Sequence, residues 1–125
     1  MRLFFVSGVV PVKITSFTAS KTGDKKTLLN WSTASEQNNR GFAIERRKDS
    51  TAWSSIGFIN SKGVNGSSIT TLHYIFEDNA PLATVNYYRL KHMNTDGSYE
   101  NSNIRVLNFS AAINIKLYPN RLQNG

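Results

Sequence analysis

A chain of 125 residues with a formal charge of +7 and no cysteine has room for one core and not two. The missing thiols exclude disulfides, thiolate nucleophiles and thiolate metal sites together, yet they leave the compartment open, since a secreted domain can stand on a good core alone. Basic residues are adjacent only at Lys25-Lys26 and Arg46-Arg47-Lys48, so the charge reads as scattered solvation rather than a polybasic arm or a nucleic-acid face.

Seven Phe, five Tyr and two Trp supply the bulky side chains that strands favour. No apolar run approaches the roughly 20 residues of a membrane-spanning helix, so no membrane insertion is expected. Residues 1–10 carry one charge and then an apolar run, too short for a whole signal peptide. They read as a signal stump or a linker.

The first expected strand is Val12 to Ala19, with Val12, Ile14 and Phe17 on its apolar side, followed by a turn at Lys21–Lys25. Lys26 to Ser32 places Thr27, Leu29 and Trp31 on one face at period two. Residues 34–41 form a polar loop, after which Phe42–Arg47 alternates, Phe42 and Ile44 inward, Glu45 and Arg47 outward. Trp53 to Asn60 is the fourth strand, carrying Ile56 and Phe58, and Ser61–Ser68 is rich enough in Gly, Asn and Ser to be a mobile loop. Leu72–Glu77 alternates again, with Leu72, Tyr74 and Phe76 together. Asp78–Leu82 makes a corner, and Val85–Met93 is the sixth strand. Asn94-Thr95-Asp96-Gly97 is a strong hairpin turn, and Ser98–Phe109 is a seventh strand anchored by Ile104, Val106 and Phe109. Ile113 to Asn120 begins another alternating strand that stops at Pro119, with no partner in sight.

Seven short strands, Trp31 on the second, and a Leu82-x5-Tyr88 corner before the sixth resemble the fibronectin type III fold. The resemblance implies that Trp31 packs between the sheets and that the Tyr88 hydroxyl bonds back to the connection before it. A more specific likeness lies in Pro11–Ala19, Leu29–Asn39, Phe42–Arg46, Asn86–Lys91, Asp96-Gly97 and Ser102–Arg105. These strings are similar to a fibronectin type III-like module of secreted Bacteroidota proteins that often precedes the C-terminal sorting domain of the type IX (Por) secretion system. Leu117-Tyr118-Pro119-Asn120 is similar to the opening of the type A sorting domain, although Arg121 stands where the second proline usually is. Asn101 likewise stands where that family often has Tyr. The chain then divides into residues 1–10, a β-sandwich over 11–110, and the truncated start of a sorting domain over 111–125.

Few residues invite chemistry. His73 alternates out of phase with its apolar neighbours and should face solvent, whereas His92 shares parity with Tyr88 and Leu90 and should end a core-facing row. Neither has an acid partner nearby in sequence, so no catalytic residue is assigned. Asn94–Gly97 with Glu100 offers too few spaced oxygens for a calcium loop, and no glycine pattern fits a phosphate. No cofactor or metal is therefore expected. Glu36, Asn38 and Asn39 are the densest polar cluster, and capping of the turn between two strands explains them better than a displayed binding loop. If the third and sixth strands pair, Glu45 and Arg47 share an outer face with Tyr87, Arg89 and Lys91. That face could bind a glycan, but a ladder pairing Glu45 with Arg89 is the plainer reading.

The expectation is an all-β, seven-stranded antiparallel fibronectin type III-like sandwich that is not an enzyme. It would serve as a structural spacer in a secreted or cell-surface protein. Its partners would be neighbouring domains and, with a full sorting domain, the type IX machinery. The alternative is an adhesive or carbohydrate-binding module using the Tyr87/Arg89/Lys91 face or the end loops.

Overall fold

The computed structural model describes residues 12–110; the expectations for residues 1–10 and 111–125 lie outside the described residues. Eight strands follow in chain order: β1 (Val12–Lys21), β2 (Thr27–Glu36), β3 (Asn39–Arg47), β4 (Ser54–Asn60), β5 (Leu72–Asp78), β6 (Val85–Asn94), β7 (Tyr99–Asn101) and β8 (Arg105–Asn108). They form two antiparallel sheets. One runs β1-β2-β5, and the other runs β4-β3-β6, with β7 and β8 both pairing along β6. The two sheets face each other as a sandwich.

The pleat explains the core. Period-two alternation sends Leu29 and Trp31 of β2, Phe42 and Ile44 of β3, and Tyr88 and Leu90 of β6 into the space between the sheets. Trp31 stacks on Tyr74 with ring centres 5.5 Å apart, and Phe42 meets both rings edge-on. Each such side chain contributes roughly 1.5–3 kcal/mol by leaving water, which is the material a disulfide-free sandwich needs.

Alternation fails wherever one strand carries an extra residue. Phe17 packs inward with Val12 and Ile14 as expected, 4% exposed, although strict alternation would set it out of phase, because register shifts between Lys13 and Ser16 turn it. In β4, Gly57 pairs with Ile44 and Ser55 with Glu45, so Ile56 is supernumerary. Phe58 therefore lies opposite Ala43, on the outer face, and Ile59 packs against the core in its place. Gly57 faces inward opposite Ile44, and a Cβ there would drive into the Phe76 ring, which leaves room only for glycine.

The expected seventh strand is broken in two. Lys91 pairs with Asn101 and Tyr88 with Arg105, so the outer chain fits one more residue into the interval than β6 does. Ser102 bridges the defect: its amide donates to the Leu90 carbonyl, and its hydroxyl accepts from the Leu90 amide at 2.8 Å. Beyond it every side chain changes face. Ile104 and Val106, expected as anchors, are exposed, while Leu107 packs on the core.

The polar loop expected over 34–41 shrinks to Gln37-Asn38, because β2 continues to Glu36 and β3 begins at Asn39. Asn38 turns the chain at φ +52°, a left-handed conformation that asparagine tolerates. The Ser61–Ser68 loop, expected to be free, is tethered. Glu36 and Ser68 exchange both backbone hydrogen bonds, and the Asn39 amide donates to the Gly66 carbonyl. Gly66 is required there, with φ at +78° and room for no Cβ against the Asn39 carbonyl.

The inverted parity after Ser102 is testable by thermal or denaturant unfolding. Leu107→Ala should cost about 1–2 kcal/mol, discounted for its partial exposure, whereas Ile104→Ser and Val106→Thr should stay within about 0.5 kcal/mol.

Candidate functional site

Of the three acids buried among the described residues, Glu36, Glu45 and Asp78, two lie at opposite ends of the sandwich interior. Glu36, 3% exposed at the end of β2, accepts hydrogen bonds from Thr33 (2.7 Å), Asn39 Nδ2 (2.9 Å), the Ser61 hydroxyl (2.5 Å) and the Tyr74 hydroxyl (2.6 Å). Thr33 and Tyr74 belong to one sheet, and Asn39 and the β4 end to the other, so this carboxylate ties the sheets together. Burial alone pushes the Glu36 carboxyl up, but the bonds from Ser61, Tyr74, Asn39 and Thr33 together hold it below its ordinary 4.5. Burial and that same carboxylate push the Tyr74 phenol up to about 12. The cluster of Glu36, Asn38 and Asn39 is thus partly dispersed. Glu36 and Asn39 meet inside, while Asn38 stays exposed in the turn.

The second carboxylate, Asp78, pairs with Arg46 of the opposite sheet at 2.8 Å. It also accepts the Tyr88 hydroxyl at 2.7 Å, and the Thr27 hydroxyl lies 2.9 Å from the same phenol. The Tyr88 hydroxyl therefore reaches the last residue of β5 rather than the connection after it. Asn86 occupies the position expected of the tyrosine. Its amide group bonds both the Leu82 amide and the Leu82 carbonyl, at 2.7 and 2.9 Å, and so closes the corner at Leu82. Trp31 is buried between the sheets at 1% exposure.

The histidines lie far apart in role. His73 is exposed and shares a 2.8 Å hydrogen bond with the Ser32 hydroxyl. His92 is 2% exposed, packs against Phe42, and leaves Nε2 without a partner. Burial holds its imidazole below the ordinary 6.5, opposed by the Glu100 charge across the β6–β7 pair. It borders a cleft of about 280 Å³ between β1 and the broken β7–β8 edge, flanked by Glu100 and Arg105. Arg105 spends its Nε on the Phe17 carbonyl. Among the described residues that line it, no nucleophile is paired with a base as hydrolysis requires.

In the β6–β7 hairpin, Asp96 is taken up locally. Its Oδ1 accepts both the amide and the hydroxyl of Ser98, which lowers its pKa, and Gly97 takes φ +93° to close the turn. Among the described residues, no cluster of three or more His, Cys, Asp or Glu side chains is arranged to hold a metal ion.

The outer face of the five-stranded sheet carries the richest arrangement. β3 and β6 pair Arg47 with Tyr87, Glu45 with Arg89 and Ala43 with Lys91. This brings Glu45, Arg47, Tyr87, Arg89 and Lys91 onto one surface. Arg89 Nε donates to Glu45 Oε1 at 2.7 Å. Trp53 then lies against two guanidinium groups, 4.7 Å from Arg47 and 4.2 Å from Arg89, and Arg47 also lies 5.7 Å from the Tyr87 ring. Lys91 Nζ is 4.1 Å from the Tyr99 ring, and Arg40 is 5.5 Å from that of Phe58. Sequence reasoning passed over Trp53, Tyr99, Phe58 and Arg40. A signal for the first existed: with Arg46 opposite Ser54, the short turn after Arg47 sets Trp53 beside it. Phe58 was hidden by the bulge at Ile56.

No protein-family model matches the chain, and no curated protein matches it.

Two buried titratable groups, Glu36 and His92, fix an acid dependence. The fold holds the Glu36 carboxyl below its ordinary value, so its stabilisation is complete above pH 4.5 and is lost as pH falls through the lowered value. The fold also holds His92 below 6.5, so its protonation costs stability as pH drops beneath 6.5. The melting temperature should therefore fall in two stages below neutrality. His92→Phe should flatten the upper stage, and Glu36→Gln the lower. At pH 7, Glu36→Gln should cost about 2–3 kcal/mol, because an amide nitrogen cannot accept the hydroxyl bonds it inherits.

Proposed function

We propose that this domain is a noncatalytic structural spacer of a secreted or cell-surface protein, positioned ahead of a type IX secretion sorting signal. The observation that carries the reading is the use made of its buried carboxylates. Glu36 accepts donors from both sheets, and Asp78, on the three-stranded sheet, is held by Arg46 and Tyr88 of the five-stranded one. Such groups are invested in rigidity and in a single packing of the sheets. A stiff, independently folding sandwich keeps a passenger clear of the signal that follows it.

The strand order supports a fibronectin type III-like reading. A three-stranded β1-β2-β5 sheet faces a β4-β3-β6 sheet whose last strand is split between β7 and β8, and Trp31 is buried between the two, although the corner bonds are made by Asn86 and not by Tyr88. The sorting-signal part of the reading rests on the sequence strings from Trp31 to Arg46 and on Tyr118-Pro119-Asn120.

The test places the chain between a reporter enzyme and a complete type A sorting domain in a host with type IX secretion. Intact reporter should appear at the cell surface. Glu36→Ala together with Asp78→Ala should unfold the spacer and cut the displayed reporter several-fold, leaving its activity per molecule unchanged. Display indifferent to unfolding, or reporter activity that changes with the module, would sink the proposal.

A further inference from the structure

We propose that the outer face of the five-stranded sheet binds a linear acidic polysaccharide, one bearing sulfate or carboxylate groups. The face collects four cations, Arg40, Arg47, Arg89 and Lys91, and each stands over an aromatic ring. Only one acid, Glu45, joins them there as an ion-pair partner, and it neutralises only Arg89. Arg40, Arg47 and Lys91 make no ion pair among the described residues. The surplus is local as well as global, and a polyanion is its electrostatic complement.

Geometry narrows the partner. Arg47, Arg89 and Lys91 occupy three successive rows of the β3–β6 ladder. Rows on one face are two residues apart, so these cations recur about every 7 Å along the strand direction. A polymer lying along β6 would meet a cation at each row. The rings beneath them restrict these long side chains before any ligand arrives, which lowers the ordering cost of binding. A guanidinium presents a planar fork that matches two oxygens of a sulfate or carboxylate.

The same contacts argue against other polyanions. Trp53 has guanidinium groups of both Arg47 and Arg89 against it, and these compete with a base for the ring on which single-stranded nucleic acid would stack. The rings still exposed on this face, Phe58 and Tyr99, each lie beside a cation on a flat strand array, which differs from the continuous apolar face that inserts into lipid. Charge pairing with a solvated chain is what remains.

The experiment measures binding of the whole chain to heparin, to polygalacturonate and to uncharged dextran. Phosphatidylserine vesicles and single-stranded DNA serve as competing polyanions. Heparin or polygalacturonate should bind, dextran should not, and affinity should fall steeply with added salt. Arg40→Ala with Lys91→Ala should weaken that binding about tenfold without shifting the melting temperature. Lys25→Ala with Lys26→Ala removes the same charge from the β1–β2 turn and should change it less than about threefold. Equal losses in the two pairs would reduce the effect to the overall charge of +7 and overturn the proposal. So would tighter binding to vesicles or DNA, or no binding to either acidic polysaccharide at low salt.

Discussion

The sandwich depends on two carboxylates buried from bulk solvent. Burying an ionised acid is expensive unless donors replace its hydration, and each end of the molecule meets that demand differently. At the Glu36 end, four neutral donors from β2, β3, the end of β4 and β5 converge on one group. At the Asp78 end, one cation and one phenol share an oxygen. Between them β2 runs the length of the core, starting at Thr27 opposite Asp78 and finishing at Glu36. The apolar face of β2 gives the sheets a reason to approach, and the clamps determine in which register they do so.

This division of labour explains why loops that look disposable are ordered. The 61–68 segment is held because Ser61 is a Glu36 donor and because Glu36 and Asn39 bond its backbone at Ser68 and Gly66. The Leu82 corner is held by Asn86, which leaves the Tyr88 phenol for Asp78. A rigid frame built this way is sensitive to acid at points away from its surface, since both Glu36 and His92 bind fewer protons in the folded state than in the unfolded chain.

Period-two alternation was legible for Trp31, Phe42, Ile44, Tyr88 and Leu90 because nothing interrupts their strands at those positions. It misled for Phe58 and for Ile104 and Val106, since each lies beyond an extra residue. Such a bulge is set by the partner strand's register and by a hydroxyl standing in for a carbonyl, as Ser102 does for the Leu90 amide. Neither leaves a mark in local composition. The Glu36 cluster could be recognised as polar and turn-forming, but its depth could not, because three of its four donors come from outside its own strand. Likewise Leu82 and Tyr88 marked a corner whose bonds are made by Asn86, a residue with no pattern of its own to announce it.

The basic pair Arg46-Arg47 shows what the pleat adds to composition. In the sequence the two are equivalent, and both count toward a charge of +7. In β3 they point to opposite faces. Arg46 turns inward to Asp78 and is consumed by the fold, whereas Arg47 turns outward against Trp53 and Tyr87 and keeps its charge available. The same sorting places Glu45 outside, where it offsets one arginine and leaves the others. Scattered charge therefore becomes a directional surface without any basic run, because alternation collects on one face every second residue of two paired strands. An inner side spent on rigidity and an outer side left cationic come from the same few residues of β3, and a change in its register would undo both.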